Sequence, residues 1–275
     1  MRRSSRTFIL KTYIVDAFTD RAFAGNPAGV CLTESPLDDD QMLLVAQELG
    51  LSETAFVREE GSTGEWSIRF FSPVMEIPLC GHATLASSAV LFERLGVLRV
   101  DFRNINDLLL TARSVEDGIT LEFPIYDTGP ATAPQALLDA LGLREIVNVV
   151  YNEETSILML EIEDKDVLAG LAPDFQALAA SHDSINGVLV TAPSGDDGYD
   201  FHSRYFWPWS GTNEDPVTGG THTFLAPYWM ARLGRRRLRS FQSSKRSGFM
   251  DLEIDGQTLY ITSQAQIVLA GEMRL

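Results

Sequence analysis

The chain has 275 residues, 45% hydrophobic and 22% charged, with a mean hydropathy of −0.01. That is the profile of a globular protein of one or two domains and excludes a disordered or low-complexity chain. Thirty-eight acidic against 22 basic residues leave a net charge of −16, a field that repels phosphate backbones and anionic bilayers, so neither nucleic acid nor membrane is expected as a partner. Two cysteines, Cys31 and Cys80, supply no disulfide framework and no paired zinc spacing, and no apolar run reaches the roughly 18 residues of a spanning helix, so the expected location is cytoplasmic. The basic opening Arg2-Arg3-Ser4-Ser5-Arg6 is short and reads as a frayed terminus rather than a targeting peptide.

Thr7 to Phe18 alternates apolar and polar residues, the period of a strand. Pro36-Leu37-Asp38 then opens a helix that carries Met42, Leu43, Ala46 and Leu49 on one face and stops at Gly50, after which Ser52 to Val57 reads as a strand. The segment Ala83, Leu85, Ala86, Ala89, Val90, Phe92 is almost free of charge until Glu93 and ends at Gly96, which predicts a helix buried on nearly every side. Asp117-Gly118 lies between Leu108 to Thr111 and Ile119 to Phe123, and Asp255-Gly256 between Leu252 to Ile254 and Leu259 to Ile261. Both predict hairpins with a type I′ turn. The basic run Arg235-Arg236-Arg237-Leu238-Arg239 follows a second helix end at Gly234, where positive charge complements the helix dipole, and reads as a solvated face.

An internal repeat organises these elements. Glu76-Ile77-Pro78-Leu79-Cys80-Gly81 and Glu214-Asp215-Pro216-Val217-Thr218-Gly219 share the pattern E-x-P-x-x-G at an offset of 138. The register persists at Arg94-Leu95-Gly96 against Arg232-Leu233-Gly234 and at Ser72 against Ser210. The chain therefore reads as two copies of one domain. Each copy offers a turn followed by a helix starting near its glycine. Helix N-termini present unpaired N–H groups and favour anions, so the amides around Gly81-His82 and Gly219-Gly220 are expected to receive a small carboxylate where the two copies face each other.

Gly25-Asn26-Pro27-Ala28-Gly29-Val30, Ser52-Glu53-Thr54-Ala55-Phe56, Cys80-Gly81-His82-Ala83-Thr84, Glu122-Phe123-Pro124, the Glu214 to Gly219 block and Pro227-Tyr228-Trp229 resemble, in order, the phenazine-biosynthesis PhzF-like family. The resemblance implies an α+β, diaminopimelate-epimerase-like fold: two pseudo-symmetric domains, each a β-barrel-like sheet wrapped around a central helix, with the active site between them. The boundaries expected are 7–124, completed by 264–275, and 125–263. The activity implied is that of a cofactor-independent isomerase, working as a homodimer, that moves a proton within a small cyclic carboxylic acid similar to trans-2,3-dihydro-3-hydroxyanthranilate.

Carried over position by position, Glu53 matches the family's catalytic acid/base, and His82 and Asp215 match residues that hold the substrate and assist the transfer. Cys80, Gly81, Thr218, Gly219 and Gly220 fall on the substrate-binding turns. Desolvation is expected to raise the Glu53 pKa toward working pH, and the helix dipole to bias His82 toward its neutral form. Two departures stand out. Thr218-Gly219-Gly220 replaces the usual Thr-Gly-Ser and loses a hydroxyl that could bind a substrate oxygen. Cys80 occupies the place of one catalytic thiol of the related epimerases, but its repeat mate is Thr218, so two-thiol racemisation is unavailable. A single Cys80 thiol, acidified at a helix N-terminus, remains an alternative, as does a catalytically silent binding or interaction protein on the same fold. His182, His202 and His222 show no metal-ligand spacing, and Phe206, Trp207 and Trp209 read as core packing or as a wall of the site. No dinucleotide fingerprint, P-loop or metal cluster appears, so neither cofactor nor metal is expected.

Overall fold

The computed structural model describes residues 8–61, 64–195 and 197–275; the basic opening and Thr7, where the first alternation begins, lie outside them. The chain divides into two units, one running to Leu121 and resuming at Ser263–Leu275, the other spanning Glu122–Thr262. Unit 1 holds β1 (Ile9–Ala17), β2 (Asn26–Leu32), α1 (Asp39–Leu49), β3 (Glu53–Glu60), β4 (Glu65–Phe71), β5 (Glu76–Ile77), α2 (Gly81–Leu95), β6 (Arg99–Arg103), β7 (Leu109–Val115) and the start of β8 (Gly118–Pro124). Unit 2 holds β9 (Gly129–Pro130), α3 (Gln135–Leu141), β10 (Asn148–Asn152), β11 (Ile157–Glu161), the short helices α4 (Lys165–Ala169) and α5 (Phe175–Ala180), β12 (Gly187–Pro193) and β13 (Phe201–Trp207). A 3₁₀ turn at Pro208–Ser210 leads into β14 (Thr212–Asp215), α6 (His222–Leu233), β15 (Arg237–Gln242), β16 (Gly248–Asp255) and β17 (Thr258–Ser263). The last strand, β18 (Ala265–Arg274), pairs with β1 in unit 1.

The two units repeat one pairing scheme. In unit 1, β18, β1 and β2 are successively antiparallel, β2 is parallel to β3, β3 is antiparallel to β4, and β4 is antiparallel to β5 but parallel to β6, which leads antiparallel into β7 and β8. Starting from β9 and β10, the same sequence of signs runs through β11, β12, β13, β14, β15, β16 and β17. Identical alternation of parallel and antiparallel ladders over nine strands establishes the repeat at the level of topology, in an α+β fold.

Each sheet curls about one helix. α2 packs against β1, β2, β3, β6, β7 and β18, and its residues 82 to 88, Val90 and Leu91 are buried. The polar members survive burial because their hydroxyls return to the preceding turn: Thr84 Oγ1 donates to Cys80 O, Ser87 to Ala83 O and Ser88 to Thr84 O, each at 2.7 Å. The helix ends at Gly96, whose φ of 67° is left-handed and whose N–H closes on Phe92 O. In α6 the equivalent Gly234, φ 64°, closes on Met230 O. Pro227 stands inside α6 and has no N–H for Thr223 O, and the Tyr126 N–H takes that carbonyl at 2.9 Å. Trp229 stacks on Phe201 with centroids 5.4 Å apart and donates its indole N–H to Thr191 Oγ1 at 2.9 Å.

Outside the barrel-like cores, α1 covers a second apolar layer of Leu10, Cys31, Met42, Val45, Ala46, Phe56 and Phe71. Its start is a capping box, with Gln41 N–H donating to Asp38 Oδ1 at 2.8 Å and Asp38 N–H to Gln41 Oε1 at 3.2 Å, and Gly50 ends it with φ 62°. In unit 2 Phe206 is fully buried in the layer formed with α3, α4 and α5, and Trp209 packs against that layer.

Both hairpin turns differ from type I′. Val115 pairs with Gly118, so the loop is Glu116-Asp117, and neither residue adopts positive φ. Asp255 pairs with Thr258, so the loop is Gly256-Gln257 with only Gly256 at positive φ, 58°, the order of a type II′ turn. A one-residue slip in reading the turn accounts for both.

Candidate functional site

The shared spacing of the two E-x-P-x-x-G copies has a mechanical basis. Glu76 on β5 accepts two bonds from Arg69, at 2.7 and 2.6 Å, and Glu214 on β14 accepts two from Arg204, at 2.7 and 2.9 Å. In each copy the arginine stands two residues before the glutamate's ladder partner, Phe71 or Phe206. The forked ion pair pins the short strand that delivers the chain to the start of the central helix. Arg204 also donates to the carbonyls of Leu168, Ala169 and Leu171.

In unit 1 three chain segments converge at the N-terminus of α2. β2 and β3 run parallel with Ala28 opposite Glu53, which places the beginning of both strands at one end of the barrel-like sheet. Gly25, in the turn before β2, has φ 65° and lies so close to Ala17 O that a Cβ would sit 2.1 Å away, so only glycine fits. Cys80 is the N-cap of α2 and His82 lies in its first turn. His82 Nε2 is 3.2 Å from Glu53 Oε2, His82 Nδ1 is 3.4 Å from Cys80 Sγ, and Asn26 Nδ2 is 3.5 Å from His82 Nδ1. His82 and Cys80 are buried, and the Glu53 side chain keeps 12% of its surface.

The electrostatics differ from expectation at each of the three groups. Burial on its own raises the Glu53 pKa, but the hydrogen bond and positive charge of His82 outweigh it and hold the carboxyl below its ordinary value of 4.5. Burial disfavours a charged His82, yet Cys80 and the Glu53 carboxylate beside it raise the imidazole well above 6.5. Both shifts favour the carboxylate–imidazolium form of the pair, and a partner 3.2 Å away overrides the helix dipole. The Cys80 thiol is pushed up by burial, not acidified by the helix start.

In unit 2, Asp215, Thr218, Gly219 and Gly220 share one turn. Thr218 Oγ1 donates to Asp215 Oδ2. The buried Gln242 braces both, since its Nε2 donates to Asp215 O at 2.7 Å and its Oε1 accepts from Thr218 N–H at 2.9 Å. Two i→i+3 turns lead from Gly219 into the α-helix, which itself begins at His222. Gly219 and Gly220 carbonyls accept from the His222 and Thr223 amides at 3.0 and 3.3 Å, and α6 begins three residues later than its counterpart in the repeat register. His222 is buried, bonded to Thr218 O and Ser240 Oγ at 3.0 Å, and burial lowers its pKa to about 4, a neutral structural histidine. His202 lies between Asp197 and Ser243 at 3.0 Å from each, and its pKa is lowered, chiefly by burial.

Topological equivalence shows what the second copy lacks. Thr54 pairs with Phe71 and Val188 with Phe206, so the counterpart of Glu53 is Gly187, and a Cβ there would lie 2.6 Å from the Tyr205 ring. Asp215 corresponds to Ile77 and Thr218 to Cys80. The sequence carries no signal that assigns a role to Asn26, Gln242, Arg69 or Arg204; the strand register makes the two arginines equivalent.

Residues 15–272 match the phenazine biosynthesis-like family. The chain is 40% identical to phenazine biosynthesis-like domain-containing protein 2 of Mus musculus, with 96% of this chain and 99% of that protein covered. It is also 40% identical to an uncharacterized isomerase of Pseudomonas aeruginosa, over 97% and 99% of the two chains. The crystal structure of a PhzF-family phenazine biosynthesis protein from Enterococcus faecalis superposes with a TM-score of 0.91 at 37% identity, covering 98% of this chain and all of that one. At 19% identity a predicted epimerase of Pseudomonas aeruginosa shares the fold alone, with a TM-score of 0.69 over 96% and 99%. Among the described residues no helix is long and apolar enough to cross a membrane. With its duplicated epimerase-like fold and full-length likeness to these proteins, the chain belongs to the phenazine biosynthesis-like (PhzC/PhzF) family.

Proposed function

We propose that the protein is an isomerase that moves a proton within a small carboxylic acid, with Glu53 as the acid/base. The observation that carries this reading is the Glu53–His82 pair: a carboxylate held deprotonated, 3.2 Å from an imidazolium, at the start of a buried helix. Glu53 takes a proton from one substrate carbon and returns it to another, while His82 keeps the carboxylate charged before the transfer and stabilises negative charge that develops on the substrate. Asp215, Thr218, Gly219 and Gly220 hold the substrate. Gly187 at the position equivalent to Glu53 leaves one base, which favours a proton shift along one face over two-base racemisation. A cyclic acid similar to trans-2,3-dihydro-3-hydroxyanthranilate is the substrate class, and a cytoplasmic homodimer without cofactor the working form. The isomerase name of the Pseudomonas aeruginosa relative supports the reaction class. Turnover of a panel of unsaturated cyclic acids by wild type and a Glu53 variant tests it.

Two further outcomes are expected. Activity survives exhaustive chelation and needs no added nucleotide, flavin or pyridoxal phosphate; one equivalent of retained metal whose removal abolishes turnover would contradict this. Titration with a small carboxylate shifts the NMR signals of the Gly81, His82, Gly219 and Gly220 amides ahead of others. Shifts that spare these four amides count against the binding turns.

A further inference from the structure

We infer that Glu53, Cys80 and His82 form a binding site for a thiophilic divalent cation such as Zn²⁺, one that blocks the proposed acid/base rather than serving it. One ligand atom from each residue lies within 4.8 Å of the other two. His82 Nε2 is 3.2 Å from Glu53 Oε2 and 3.9 Å from Cys80 Sγ. At ordinary zinc bond lengths and tetrahedral angles, nitrogen and oxygen ligands stand about 3.3 Å apart and sulfur lies about 3.6 Å from either. The third side, from Glu53 to Cys80, lies within the same 4.8 Å, and Sγ stands nearer His82 Nδ1, at 3.4 Å, than Nε2, so a tetrahedron on Nε2 closes when the Cys80 side chain swings toward the Glu53 side of the ring. Thiolate, imidazole and carboxylate are also the three ligand types that zinc takes, and a soft sulfur disfavours Mg²⁺ and Ca²⁺. The fourth position stays open to water or to a substrate carboxylate.

Binding balances with loss of two protons. The Cys80 thiol becomes a thiolate, the His82 imidazolium becomes a neutral imidazole ligand, Glu53 is already a carboxylate, and both protons go to solvent. Affinity therefore rises with pH. The blocking effect rests on the reading of Glu53 as the base, because a metal-bound carboxylate cannot accept the substrate proton; the binding itself does not depend on that reading.

The test is titration of the full chain with Co²⁺, followed by absorption, and with Zn²⁺, followed by calorimetry. One equivalent of Co²⁺ is expected to give a near-ultraviolet thiolate-to-metal band that Zn²⁺ abolishes. The band should persist in Cys31→Ala and vanish in Cys80→Ser, with Zn²⁺ affinity in the latter reduced at least about 100-fold, the upper range for loss of even a supporting contact. Glu53→Gln, which keeps the sulfur and the helix start, should retain the band at weaker affinity. Circular dichroism and thermal melts establish that each variant is folded. No band in wild type, a band that survives Cys80→Ser, or one lost in folded Cys31→Ala overturns the site. Metal-free turnover of Glu53→Gln decides the catalytic reading separately, so either can fail while the other stands.

Discussion

Glu53→Gln is expected to lower turnover of the substrate by about 10²–10⁴-fold, the contribution of a positioned acid/base, while substrate binding weakens far less. The amide keeps the shape and a hydrogen-bonding oxygen facing His82 Nε2 but cannot carry the proton. Cys80→Ser keeps a small N-cap side chain and should cost under about tenfold, since the buried thiol is driven away from thiolate. An inactive Cys80→Ser beside a Glu53→Gln of nearly full rate would transfer the chemistry to the thiol. The pH profile offers a second check. With the Glu53 pKa lowered below 4.5, its base form persists at any pH above that value, so the acid limb of kcat/KM lies below pH 4.5. With the His82 pKa raised well above 6.5, the alkaline limb, where imidazolium is lost, lies above 6.5. Stability follows the same signs: the Glu53 contribution disappears as pH falls through its lowered value, the His82 contribution as pH rises through its raised one, and both are complete between pH 4.5 and 6.5.

Arg204→Ala is expected to be among the most destabilising single changes in unit 2, at about 3 kcal/mol, because it removes a buried guanidinium, leaves the Glu214 carboxylate, 17% exposed, without its partner, and takes the donor from three carbonyls. Its counterpart Arg69→Ala makes the same fork to Glu76, but the arginine side chain is 26% exposed and its other partner, Asp39, is 76% exposed. Water can replace those bonds, and the expected loss is about 1 kcal/mol or less. Urea denaturation of the two variants decides the matter. Equal losses would mean that burial does not set the worth of the pair.

Local signals were legible where one residue type has one backbone use. Pro36-Leu37-Asp38 at the opening of α1, and the stops at Gly50, Gly96 and Gly234, marked helix ends because caps and left-handed glycines act within a single turn. The repeat was legible because the glutamate of each copy answers to the same arginine fork on the neighbouring strand. Hairpin register was not, since Asp117-Gly118 and Asp255-Gly256 present the same dipeptide while the ladders place the glycine differently: opposite Val115 in one case, inside the loop in the other. The late start of α6 escaped for a related reason, as two extra turn bonds at Gly219 and Gly220 carry no residue signature. The charge state of the candidate site was hidden for a different cause. Glu53 and His82 are 29 positions apart in sequence, and which effect prevails, burial or the opposite charge, depends on a distance that only the folded chain supplies.

The return of β18 to β1 has a consequence for synthesis. Every strand of unit 2 is made before Ala265, whereas the outer edge of β1, from Ile9 to Ala17, waits for Ala265–Arg274 to follow. The half that is begun first is thus finished last, and through most of translation it exposes an unsealed row of backbone donors and acceptors available to other nascent chains. β18 acts as the closing seam of unit 1, so translation that stops before Ala265 releases a chain whose defect lies at β1, in the segment made first.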